Sequence, residues 1–397
     1  MKQPYFSIVI PTKNRPALLA DALSSALWQD FDDMEVIVSD NFNDERTKAT
    51  VDKFANHPKL KYYRTSHEMN MLDHWEWASL KAMGKYVLIM PDRKVLYQGA
   101  LQKLKTVTEK YPHINAFSYH VATFIESTLT FAWSPPHQGT MLFSTADLTS
   151  NFLSENLYLK KTFEYYFPKT LNGFFKAEYA QNIRSKFGQY FNTAGVTTPD
   201  FSSLFINLAL NDEILYIGDK ILISQGEQVS NGRNFGLGKV DQYLNMLHID
   251  FNTFYEPVPV HSPFIYNWLT LDFLTIQQKV TANLSKYSVD WVNYYATLHR
   301  ELTIKTRSDM AEEMKDYFKN SITIPLSNTD KEFQTQVENR IARDEATITQ
   351  PTFFDKLNRL PQTVQSYLTH HYPNNRFLNA KYYSILHAAG FKNTTWN

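Results

Sequence analysis

The 397-residue chain has no cysteine, which excludes disulfides, thiolate catalysis and cysteine-held zinc and fits a reducing compartment. It has no excess charge of either sign, because 40 basic and 40 acidic residues cancel. Binding a phosphate backbone needs a basic face, so the balance argues against nucleic acid as the main partner. No apolar run approaches the roughly 18–20 residues of a membrane span. The most apolar long stretch, 264–276, is interrupted by Asn267 and Asp272 and reads as a buried or interfacial helix. No targeting signal stands before the first apolar segment, since Met1-Lys2-Gln3-Pro4 leads straight into it. Internal repeats and low-complexity tracts are absent too. The expectation is a cytoplasmic chain, with peripheral contact to a membrane kept open.

Aromatic residues, in contrast, are plentiful, with 28 Phe and 24 Tyr. Core filling accounts for most of them, and sugar-stacking surfaces are the sharper reading for a few. The length exceeds the roughly 250–300 residues at which one core stops growing, so two domains are expected. The pattern places an α/β domain over 1–225, a polar, glycine-containing loop or linker over 226–240, and a mainly helical region over 241–397.

Three segments of the first hundred residues share one design. Phe6-Ser7-Ile8-Val9-Ile10 runs into Pro11-Thr12-Lys13-Asn14-Arg15-Pro16. Glu35-Val36-Ile37-Val38 ends on Ser39-Asp40-Asn41, and Tyr86-Val87-Leu88-Ile89-Met90 ends on Pro91-Asp92-Arg93-Lys94. Each is a short β-rich run that delivers polar residues at its C-terminal end. Between them lie helical patterns over 16–30, 44–56 (with Asn43-Asp44 as cap) and 70–83, the last closed by Gly84. The alternation predicts a parallel sheet, and in open α/β sheets ligands bind outside the carboxyl ends of the strands. Further on, the pattern predicts a helix over 201–210 and a strand over 214–217.

Together these strings resemble the N-terminal domain of family 2 glycosyltransferases, inverting enzymes with a GT-A fold, over about residues 5–225. Ser7-Ile8-Val9-Ile10-Pro11-Thr12-Lys13-Asn14-Arg15 is similar to that family's opening strand and loop. Val38-Ser39-Asp40-Asn41 is similar to its second-strand motif, and the span 70–89 to the helix and strand before its metal motif. The resemblance implies a Rossmann-like nucleotide-diphospho-sugar transferase domain and a nucleoside-diphosphate sugar, a UDP-sugar in preference. It also implies inverting transfer of a hexosyl-type group to a hydroxyl of a glycan or lipid-linked acceptor, in surface polysaccharide or glycoconjugate synthesis.

The chemistry has its own logic. A carboxylate at a strand end accepts the ring N–H of a uracil-type base, the role the family gives to the position of Asp40. Thr12, Asn14 and Arg15 offer hydroxyl, amide and guanidinium donors to ribose or phosphate, although a turn and helix cap would also account for Thr12 and Asn14. Asn41 and Asn43 read as ordinary turn residues. Gln228-Val229-Ser230-Asn231-Gly232-Arg233 has the composition of an active-site lid, with Arg233 reaching the diphosphate, and equally that of a linker.

At the third loop the chain departs from the family. The family carries an aspartate pair in D-x-D spacing that holds Mn2+ or Mg2+ against the diphosphate. Asp92-Arg93-Lys94 keeps one carboxylate. Three alternatives follow: a metal on Asp92, water and phosphate; no metal, with Arg93 or Lys94 supplying the positive charge; or loss of activity. Inversion also needs a general base. Thr198-Pro199-Asp200-Phe201 stands where the family's base is found, which makes Asp200 the candidate; an N-cap aspartate is the plainer reading. Asp212 and Glu213 are reserves. His370-His371 lack a carboxylate at ligand spacing. Trp75 and Trp77 lie on different faces of their helix, so at most one belongs to the core. The rival functions are a nucleotide-sugar-binding protein without catalysis and a scaffold subunit of an assembly complex; a homo-oligomer is a further expectation.

Overall fold

The computed structural model describes residues 2–42, 45–125, 130–132, 137–159, 166–191, 197–225, 254–280, 282–305 and 312–347. Arg233, the 226–240 loop, the Asn43-Asp44 cap and His370-His371 therefore lie outside the described residues.

Among the described residues ten strands form one mixed sheet. Its first part is β1 (Phe6–Thr12), β2 (Met34–Asp40), β3 (Leu60–Arg64) and β4 (Tyr86–Ile89), mutually parallel in the order β3-β2-β1-β4. The connections are α1 (Pro16–Leu27), α2 (Glu45–Asp52) and α3 (Met71–Ser79), as the alternating pattern requires. The later strands are β5 (Lys94–Leu96), β6 (Ala116–Ile125), β7 (Thr130–Ala132), β8 (Thr140–Ser144), β9 (Gly173–Lys176) and β10 (Glu213–Ser224). The parallel order expected of the first four strands holds, and beyond them the sheet is mixed. The four-residue β9 enters between β4 and β6 antiparallel to both, and the order continues β9-β6-β10-β5. β10 runs parallel to β6 and antiparallel to β5 and β8. It is also longer than the 214–217 expected, because a register shift between Ile217 and Leu222 lets it bend and continue.

Both faces of the sheet are covered, so the central strands are apolar throughout. Side chains alternate between faces. Phe6, Ile8 and Ile10 pack with Leu19, Leu23 of α1 and with α4 (Ala100–Lys110) on one side. Val9, Val87 and Ile89 pack with Trp75 of α3 on the other, together with α5 (Thr145–Ser154), α6 (Ala177–Phe187) and α7 (Pro199–Leu210). Burying each such side chain fully is worth about 1.5–3 kcal/mol.

The second cluster runs without a break into the C-terminal helices α8 (Ile265–Val280), α9 (Trp291–Lys305), α10 (Glu312–Ser327) and α11 (Lys331–Ala346). The Glu301 carboxylate on α9 accepts the Ile265 and Tyr266 N–H groups at 2.7 and 3.0 Å, capping α8 from a neighbouring helix. Asn293 on α9 donates to the Leu153 carbonyl at 2.8 Å and accepts from Arg340 at 2.9 Å, tying α5, α9 and α11 together. Asn267 and Asp272, the polar breaks in the apolar stretch, are fully buried. Among the described residues no helix is long and apolar enough to cross a membrane.

Two helix ends differ from expectation. α3 stops at Ser79 rather than near 83, and Gly84 does not cap it. A Cβ on Gly84 would stand 2.6 Å from the Ser7 amide nitrogen, so glycine is required there by the close approach of β1. α7 is capped by Thr198, whose hydroxyl accepts the Phe201 N–H at 3.3 Å. Asp200 is thus inside the first turn and is not the cap.

Candidate active site

At the carboxyl ends of β1 and β4 lies a cavity of about 320 Å³. One wall is made by the loops that end these strands: Thr12, Lys13 and Arg15 from the first, Asp92 and Arg93 from the third. Thr12 donates its hydroxyl to Asp92 Oδ2 at 2.8 Å, and the Arg15 guanidinium stands 3.4 Å from Oδ1. The two loops are therefore latched through one buried carboxyl. Burial pushes the Asp92 pKa up, while Arg15 and Thr12 hold it down.

A second wall comes from α3 and the loop before it. Asn41 is buried and is not an ordinary turn residue, unlike the sequence reading. Its amide donates to the Met69 carbonyl at 2.8 Å and accepts the Met69 N–H at 2.9 Å. This two-point clasp fixes the segment that enters α3. His74 and Trp75 follow at the cavity. Burial and nearby Lys13 push the His74 pKa down to about 4, and its Nε2 lies 2.8 Å from the Ser39 hydroxyl. Trp75 is buried, while Trp77 is half-buried and lies under the Lys81 ammonium at 4.4 Å. The two rings do point to different faces.

The far wall is Leu171, Thr198, Asp200 and Phe201, joined by Ile265 and Trp268 of α8. Burial raises the Asp200 pKa, opposed by the Thr198 side chain, Lys169 and Arg93. Its turn is anchored from behind. Asp272 of α8, fully buried, accepts the Thr197 N–H at 3.0 Å and the Thr197 hydroxyl at 2.8 Å. Burial pushes the Asp272 pKa well up, and Asp200 adds to the rise.

Thr12, Arg15, Asp92, Arg93 and Asp200 are thus brought to one cavity. Asn14 and Asp40 are not at its wall. Asn14 is exposed in a left-handed turn with φ 58°. Asp40 is fully buried, and its Oδ2 accepts the Tyr62 hydroxyl at 2.8 Å. Lys94 is 5% exposed, and burial with Arg93 and Lys169 nearby drives its pKa well down, against the pull of Asp200. Asp212 carries an oxygen that accepts from Asn283 at 3.3 Å, and Glu213 is exposed at the start of β10, both away from the cavity. Sequence reasoning missed His74, Asn41, Ile265, Trp268 and Asp272. Only the helical spacing of 70–83 hinted at the first, and only the polar breaks in 264–276 marked the last.

Residues 7–164 match the protein-family model for glycosyl transferase family 2. The N-terminal region is a family 2 glycosyltransferase domain. The sheet is accordingly of the GT-A type. A curated relative, the GalNAc(5)-diNAcBac-PP-undecaprenol beta-1,3-glucosyltransferase of Campylobacter jejuni, is 32% identical over 121 residues, 28% of this chain. The match spans 37% of that relative's length. Among solved structures, S. aureus TarS 1-349 in complex with UDP-GlcNAc is similar at 12% identity and a TM-score of 0.44, over 97% of this chain and 90% of that one. The mannosyltransferase PcManGT from Pyrobaculum calidifontis, in complex with GDP-Man and Mn2+, is similar at 12% identity and a TM-score of 0.42, over 98% and 87%. Within the glycosyltransferase domain the matched segment holds the strand-end wall. The far wall, from Leu171 onward, lies beyond it.

Proposed function

We propose that the chain moves a sugar from a nucleoside-diphosphate donor, a UDP-sugar in preference, to an acceptor hydroxyl with inversion. The observation that carries this reading is one cavity in which Arg15, Asp92 and Arg93 face a carboxyl, Asp200, held on an independent element. The cationic strand ends suit a diphosphate. Asp200 suits a general base, since its raised pKa moves it toward the range where proton abstraction is effective. It takes the proton of the acceptor hydroxyl, whose oxygen attacks the anomeric carbon opposite the diphosphate. The bond from that carbon to the diphosphate oxygen breaks, and the nucleoside diphosphate leaves with the electron pair.

Phe201, Ile265 and Trp268 offer an apolar face beside Asp200 for the acceptor. A glycan on a lipid carrier is the acceptor class we favour, in keeping with the acceptor in the curated relative's name; the protein would then work at the membrane surface. Release of nucleoside diphosphate from a panel of UDP-, GDP- and dTDP-sugars, with nuclear magnetic resonance of the product anomer, tests the reading. Turnover of one donor with an inverted anomeric centre is expected. Donor binding without turnover in any acceptor mixture would favour a nucleotide-sugar-binding role, and retention would refute the mechanism.

A further inference from the structure

We infer that this site holds the donor diphosphate with its own arginines, Arg93 and Arg15 foremost, and needs no divalent ion to do so. The inference rests on the nucleotide-sugar reading above and concerns how the leaving group's charge is met.

A hard divalent cation takes six or more oxygen ligands, with carboxylates preferred. The residues present do not fit one. At the loop where the family's aspartate pair would stand, Asp92 is alone, and both its oxygens are already engaged by Thr12 and Arg15. The second acidic position is Lys94, an ammonium-bearing side chain buried in β5 beside Asp92 and Arg93. An ion placed against Asp92 would meet the Arg15 guanidinium, 3.4 Å from its Oδ1, and would also feel the charge of Arg93. Among the described residues no three His, Asp or Glu side chains gather as a cation site.

The same residues fit an anion well. Lys13, Arg15 and Arg93 line the cavity, against the carboxyls of Asp92 and Asp200. Lys94 and Lys169 stand close enough to Asp200 to act on it or respond to it. Lys13 is paired with Glu68 at 2.5 Å, and Arg15 with Asp92 at 3.4 Å. A guanidinium presents a planar fork of N–H donors that matches two phosphate oxygens at once. Arg93 also carries its loop's connection to the sheet, because its carbonyl accepts the Gln225 N–H at 2.9 Å. A positively charged side chain thus stands on a backbone braced at both ends of the loop, at the place where the metal would otherwise neutralise the departing diphosphate.

Calorimetry on the full chain tests this with UDP, GDP, CDP and dTDP, each in EDTA and in Mn2+. The expected result is binding of one of them with an affinity that differs by less than about twofold between the two buffers. Arg93→Gln should then weaken that diphosphate by at least about tenfold while changing the matching monophosphate by less than about twofold. Binding that appears only with Mn2+, or tightens by about tenfold or more with it, overturns the inference and leaves the donor reading intact. An equal loss of di- and monophosphate binding in Arg93→Gln also overturns it, since the arginine would then only support the loop. Binding of none of the four in either buffer overturns the donor reading itself, and this inference with it.

Discussion

The two sides of the cavity are built by different means. On the strand side, Thr12, Arg15, Asp92 and Arg93 sit within a few residues of strand ends, and each is placed by the chain next to it. On the helical side, Asp200, Phe201, Ile265 and Trp268 come from two helices that meet only after the C-terminal region has packed onto α7. The strand side is polar and latched by hydrogen bonds and an ion pair. The helical side is largely apolar and held by burial, with Asp272 and Glu301 as polar anchors behind it. Charge chemistry can therefore be altered on the first side with little loss of fold, whereas the second side ties function to core packing.

Separating the jobs of the two sides should give the largest effect. Asp200→Asn is expected to lower transfer by about 10²–10⁴-fold, with calorimetric UDP affinity unchanged. A parallel loss of UDP binding would mean that the helical side also holds the donor. Next comes stability. Trp268 is 2% exposed and donates its indole N–H to the Tyr255 hydroxyl at 2.9 Å. Trp268→Ala should cost about 3–5 kcal/mol in urea denaturation, against about 1–3 kcal/mol for Thr12→Val, which removes one buried hydrogen bond to Asp92. Equal costs would erase the contrast.

The pH dependence should differ in sign. His74 on α3, hydrogen-bonded to Ser39 of β2, is held near 4, below its ordinary 6.5. The folded chain thus binds fewer protons, and about 3 kcal/mol of stability is lost as the pH falls from about 6.5 to about 4. Asp272 on the helical side is raised above its ordinary 3.8. Its contribution is complete below that value and is lost as the pH rises through the raised pKa. Denaturation midpoints across pH should show His74→Gln flattening the acid limb and Asp272→Asn flattening the limb above it. The second effect should be the smallest of the set, about 1 kcal/mol at neutral pH, because the amide oxygen still accepts one Thr197 bond.

Strand ends were legible in the sequence because their signal is local. Phe6 to Ile10 followed by a polar loop says where a β-run stops and what it presents, and three such runs in order predicted one site. What the loops face was not legible. Asp40 ends its strand as expected, yet its carboxylate meets Tyr62 on β3 rather than the cavity, a matter of which neighbour the sheet supplies. β9 is four residues long, too short for periodicity to register, yet its antiparallel entry changes the sheet order. The helical wall was least legible, because Thr197 and Asp272 meet across 75 residues of sequence. Gly84 shows the same limit: the residue reads as a helix stop, and its reason is the backbone of β1.

Ile265, Trp268 and Asp272 follow one another at intervals of three and four along α8. An α-helix turns about 100° per residue, so this spacing works as a ruler. A single residue inserted or deleted between Ile265 and Asp272 would rotate one end of the stripe away from its target. Either the Thr197 anchor or the cavity face would then be lost, although composition and hydrophobicity would scarcely change. In homologous chains, length variation should be tolerated in surface loops and absent from these eight positions, 265–272.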